Sequence, residues 1–314
     1  MLTRARAAPA KKLSRALGVE STHWNCIKME LVRPPWRHAV RIMILCPALI
    51  LLASSVPAQR SPLPTEAGLM EITERGRLLT EYDAAAWHST DAVKALKPEE
   101  GKGGRYVARK VDGKWVVVYG RLNDSRDKFL TTYEATATNA PEQFTVKRYD
   151  PPQEDNSFYL FAARAIETAL AVFTGEKRPY NAAVLPAKSG LLYVYIYPAS
   201  TETGVYLIGG DRRYLVSPDG LTIQETRQLH KSIIEYKDFS KSGKAKEGWK
   251  AEMGVHNHIL DDVPEDTDVF LAMTRKPSTP EMIITWEYTY RVNPDGTIKY
   301  EGESAKMFGK KEKK

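Results

Sequence analysis

Residues 252–270, EMGVHNHILDDVPEDTDVF, hold the densest set of groups in this chain that could do chemistry. His256 and His258 stand one residue apart, and Asp261, Asp262, Glu265, Asp266 and Asp268 follow within a short reach. Alternate residues of an extended chain project to the same side, so an H-x-H pair on a strand directs both imidazoles to one place. The composition of 252–260 predicts such a strand, with Met253, Val255 and Ile259 on one face and Glu252, His256, His258 and Leu260 on the other. The apolar face is expected to be the core side, which leaves the histidines as a solvated pair on the polar side.

Two imidazoles make half a metal site, because zinc takes three or four ligands. The third ligand could come from His230, or from Asp261, Asp262, Asp266 or Asp268 downstream, none of them at a diagnostic spacing. Both cysteines, Cys26 and Cys46, fall in the N-terminal segment, so beyond residue 58 only nitrogen and oxygen donors remain. That donor set suits zinc or another divalent metal. Without a third ligand no cofactor is expected. The DDVPED run could hold calcium weakly, though an exposed acidic turn is its ordinary state.

Other chemistry is sparse. Tyr193, Tyr195 and Tyr197 alternate with Leu192, Val194 and Ile196, which makes a tyrosine face that either packs or binds a ligand. No G-x-S-x-G elbow, phosphate-binding glycine loop or EF-hand loop occurs.

Two resemblances follow from these motifs. ETGVYLIGG at 202–210, HNH at 256–258 and the later Asp268 resemble the pattern of JAMM-type metalloproteases. That resemblance implies zinc on the two histidines and the aspartate, with Glu202 as general base toward a metal-bound water. The chain departs from the pattern: Ile259 replaces a proline, Glu265 stands where a serine belongs, and the aspartate is one residue too close. DVFLAM also reads as a strand, where the family has a helix. Separately, residues 190–300, with YVYIYPA, GGDRRYLVSPDG and VPEDTDVFLAM, are similar to a family of exported bacterial proteins. This second resemblance implies export and a sheet structure, and supplies no catalytic residue.

Export is also legible from the residues. Arg33, Arg37 and Arg41 precede the uncharged run IMILCPALILLASSV, and Val56 and Ala58 occupy the small-residue positions of a cleavage site. Residues 1–58 therefore read as a signal peptide cleaved after Ala58, with translation starting at Met1 or Met29. A periplasmic or extracellular protein is expected, with no membrane span after cleavage. Nine of the 46 Lys+Arg and two of the 39 Asp+Glu lie in that segment, leaving 37 of each. The formal charge of +7 is thus an export signal plus a lysine-rich end, and nucleic-acid binding is not expected.

The elements around the motifs predict an α+β fold of antiparallel sheets with two main helices. Residues 59–70 read as a disordered leader. A helix over 71–96 and a meander around Asp112-Gly113 make a first subdomain, 71–150. YDPPQEDN is the expected boundary. A helix over 157–173 and further strands make a second, 151–302, ahead of a disordered tail at 303–314. With no complete catalytic set, the chain reads as a non-enzymatic envelope protein that binds a protein, peptide or glycan. The alternative is a metal-binding protein or metal-dependent hydrolase built on His256 and His258.

Overall fold

The computed structural model describes residues 61–98, 104–140, 142–238 and 251–309. The export segment therefore lies outside the described residues, as do the lysine-rich stretch 239–250 and the last five residues. The architecture is α+β, with antiparallel pairing dominant, as the sequence predicts.

The first sheet is an antiparallel meander of β1 (Arg105–Val111), β2 (Lys114–Leu122), β3 (Phe129–Ala137) and β4 (Phe144–Asp155). Asp112 and Gly113 have φ of 49° and 78°, the consecutive left-handed pair that a two-residue type I′ hairpin requires. The expected boundary is instead strand: β4 runs through Pro151 and Pro152. Two prolines are tolerated there because β4 is an edge strand and its register against β3 shifts between Thr131 and Tyr133.

The second sheet has the order β5 (Tyr180–Pro186), β6 (Leu192–Pro198), β8 (Arg212–Val216), β9 (Ile223–Gln228). Period-two alternation sends side chains from both sheets to opposite sides. Val107, Val118, Val184, Val194 and Ile196 pack with α2 (Phe158–Val172). Ala108, Val117, Leu185, Tyr195 and Tyr197 pack with α1 (Glu66–Ala95). Both faces of β6 are covered, so the tyrosine face is interior. Residues on both sides of the expected boundary share these two clusters. α1 begins within the expected leader, with Thr65 as its N-cap accepting from Gly68 N–H.

The long 205–237 stretch is a hairpin bent across two sheets. β7 (Val205–Ile208) pairs with β10 (Ile234–Lys237), while β8 pairs with β9. The bend falls at Gly209, whose φ is +91° and where a Cβ would stand 1.9 Å from the Ser232 carbonyl oxygen. Only glycine fits a left-handed backbone pressed so closely on another strand.

The last sheet orders β11 (Gly254–Asn257), β12 (Glu281–Ile284), β13 (Tyr288–Val292) and β14 (Ile298–Glu303), and β11 pairs with β12 in parallel. A parallel pair needs a crossover, and α3 (Asp266–Thr274) supplies it. DVFLAM is thus a helix, not a strand. A short apolar run is ambiguous between the two. Asp266 and Asp268 in the first turn complement the helix dipole, and Val269 and Ala272 reach the core together at helical spacing. The chain from Ser304 to Phe308 is a short helix, α4, where a disordered tail was expected.

Candidate metal centre

The strand bearing His256 is turned the other way from its sequence pattern. Val255 is 52% exposed and Ile259 47%, whereas His256 and His258 are each 5% exposed. The imidazoles face inward because polar partners, not apolar ones, fill the space behind them.

Four side chains converge: His230, His256, His258 and Asp268, each buried. His230 follows β9 at the hairpin bend. His256 lies on β11, and the His258 N–H continues the parallel ladder by donating to the Ile284 carbonyl at 2.8 Å. Asp268 stands in the first turn of α3, where its Oδ2 accepts the Glu265 N–H at 2.6 Å. That bond is the returning half of a capping box. It leaves Oδ1 facing His230 and His256, while Oδ2 also lies 3.2 Å from His258 Nε2.

The donor atoms are spaced as ligands of one ion would be. His256 Nε2 and His230 Nε2 lie 2.9 Å and 3.1 Å from Asp268 Oδ1. His258 Nε2 lies 3.0 Å from His230 Nε2 and 3.2 Å from His256 Nε2. Ligands at ~2.0–2.1 Å from a tetrahedral zinc stand ~3.3 Å apart along each edge. The observed edges are close to that figure.

The far nitrogen of each ring is anchored to an acceptor. Asp211 takes His230 Nδ1–H at 2.9 Å, Glu281 Oε1 takes His256 Nδ1–H at 2.7 Å, and the Val263 carbonyl takes His258 Nδ1–H at 2.9 Å. These bonds assign the proton of each neutral ring to Nδ1, so three Nε2 lone pairs face the Asp268 carboxylate with no donor between them. A buried polar group without a partner costs about 1–3 kcal/mol. Four acceptors sharing one small space require a cation, whether protons or a metal.

The charges agree. Asp211, Asp268 and Glu281 surround the donors, and Arg275 pairs with Glu281 Oε2 at 2.6 Å. With neutral imidazoles, two negative charges remain uncompensated, the deficit that a dication fills. In the metal-free protein His230 and His256 favour protons instead. Burial works against a charged His230, yet Asp211 and Asp268 hold its pKa well above the ordinary value. Burial likewise opposes charge on His256, and the bonds to Asp268 and Glu281 raise it. Burial alone would raise Asp268, but His258, His230 and His256 hold it well below the usual carboxylate range.

A second buried network fixes α3. Asp266, fully buried, accepts from Arg75 Nε of α1 at 2.9 Å, from the Tyr195 hydroxyl of β6 at 2.8 Å, and from Arg213 of β8. Glu265 receives Arg227 of β9. Burial, reinforced by Asp266, pushes Glu265 up to about 8 against the pull of Arg227.

Of the residues singled out from sequence, His230, His256, His258 and Asp268 are brought together. Asp261 is drawn to Arg227, and Asp262 accepts from Glu287 N–H. Glu202 lies exposed in the turn before β7 and takes no part in the cluster. Tyr195 and Tyr197 are buried, bonding Asp266 and Asp83, so neither offers a surface to a ligand. Tyr193 is half-buried, beneath the guanidinium groups of Arg75 and Arg213. Helix α3, with Asp268 in its first turn, stands where DVFLAM was expected as a strand. Sequence reasoning missed Asp211, Glu281 and the Val263 carbonyl. The one available signal was Gly209-Gly210, a mark of close backbone approach, immediately before Asp211.

No family model, no curated protein and no solved structure matches this chain. Among the described residues, no helix is long and apolar enough to cross a membrane.

Proposed function

We propose that this protein binds a divalent transition metal, with zinc favoured by the donor set, through His230, His256, His258 and Asp268. The observation that carries the reading is the convergence of three Nε2 atoms on the Asp268 carboxylate while every Nδ1 is tied to an acceptor. Anchored histidines of this kind are typical of metal ligation, since the outer hydrogen bond sets both tautomer and ring direction. Imidazole with a single carboxylate suits zinc and its first-row neighbours better than calcium or magnesium. The basic, apolar and small-residue segments ahead of Gln59 support an exported protein, so the metal would be acquired outside the cytoplasm.

Elemental analysis of mature protein purified without a histidine tag tests this. One equivalent of metal, absent from His256→Ala and His258→Ala, is the expected result. A metal-free protein that also fails to bind added zinc would refute it.

A second reading, a module that docks a protein, peptide or glycan, draws on exposed Val255, Ile259, Leu260 and Trp286 along β11 and the β12–β13 turn. It requires that Trp286→Ser abolish partner capture while metal content stays unchanged.

A further inference from the structure

We propose that the metal held by this centre is not sealed off but accepts an exogenous small anion through a cavity above the three histidines. The inference rests on the metal-binding reading and adds to it a ligand position and the class of ligand. A structural zinc site is closed on every side, while a reactive one keeps a position open to water or substrate, which beside four protein donors is a fifth position. The two are distinguished by what lies beside the donors.

Here a cavity of about 80 Å³ opens onto His230, His256 and His258 and is not lined by Asp268. That is room for more than one water molecule. The carboxylate thus comes from the helix side, and free space lies on the side of the rings. Ile208, Leu229, Ile234 and Leu260 form apolar walls, and Ile234 and Leu260 are 38% and 46% exposed, so the cavity reaches the surface. Lys231 and Ser232 also line it. Lys231, an exposed cation among the lining residues, gives this side of the cavity a positive charge that complements a negative ligand. The apolar walls strengthen that attraction. The ligand class this describes is a small anion with an oxygen or nitrogen donor, of the size of azide, formate or bicarbonate, bound to the metal and steadied by Lys231. In its absence water would occupy the position, where a divalent metal lowers its pKa and makes it a nucleophile at neutral pH.

The test uses the whole mature protein loaded with cobalt(II), whose visible bands respond to coordination number, titrated with sodium azide. The expected result is a saturable change in the cobalt spectrum. Ile234→Trp, which fills the cavity, should weaken azide binding about tenfold or more, and Lys231→Gln should weaken it several-fold, at unchanged cobalt stoichiometry. Leu260→Trp repeats the blocking test on a different wall, should Ile234→Trp fail to fold. Cobalt uptake with a spectrum silent to azide would overturn this inference and leave the metal site standing. An azide response unaltered by either tryptophan would also overturn it, because access would not be through the cavity. Failure to bind cobalt or zinc at all would sink the metal-binding reading and this inference with it.

Discussion

Asp211 and His230 lie 19 residues apart in the chain, yet the Asp211 carboxylate takes the His230 Nδ1 proton at 2.9 Å. The bent hairpin makes this contact: Arg212 pairs with Gln228, and Leu229 N–H donates to the Asp211 carbonyl at the same end. Thr267 of α3 donates to the other Asp211 oxygen, which ties the histidine anchor to the helix that carries Asp268. One carboxylate thereby orients the candidate ligand His230, just after β9, and holds α3, which carries Asp268.

Asp211→Asn and Glu281→Gln should each lower metal affinity about 10–100-fold without removing a ligand. Competition against a chromophoric chelator measures this. An affinity unchanged in both variants would show that the outer hydrogen bonds do not set the ring geometry.

Removing the metal should destabilise the fold. Binding at a thousandfold excess over Kd contributes about 4 kcal/mol, a Tm shift on the order of 10 °C for a domain of this size. Thermal denaturation with and without chelator reads it directly, and equal Tm values would argue against occupancy.

The metal-free and metal-bound forms should respond to pH in opposite senses. His230 and His256 have folded pKa values raised above the ordinary 6.5, so their stabilisation is fully present below that pH and is lost as pH rises through the folded values. Asp268 is depressed below the ordinary 3.8, so its share is present above that pH and is lost on further acidification. Chelated protein should therefore lose stability as pH rises above about 6.5. Metal affinity should rise over the same range, since the ligands bind deprotonated. Denaturant melts of chelated and loaded protein below and above that pH check the sign; parallel curves would contradict it.

Asp266→Ala should cost about 3–5 kcal/mol, because it strands the buried Arg213 guanidinium and the Tyr195 hydroxyl. Metal affinity should fall too, since α3 loses its tether to α1, β6 and β8. Urea denaturation and metal titration of one preparation separate the two effects. A loss under about 1 kcal/mol would mean the network is not what holds α3.

By itself the sequence determined the antiparallel sheets, the helix α1, the helix α2 and the Asp112-Gly113 hairpin, since alternation, helical spacing and turn residues are local properties. It also marked His256 and His258 as a pair, because two residues on one strand need nothing else to bring them together. The tertiary structure decided the rest. His230 and Asp268 join the pair only because a glycine bend and a crossover helix bring separate elements to one point. The inward turn of β11 contradicts its own apolar pattern, and no local rule could announce it. The histidine face is buried because Asp211, Glu281 and Asp268, distant in the chain, supply the hydrogen bonds and charge that make burying three imidazoles favourable.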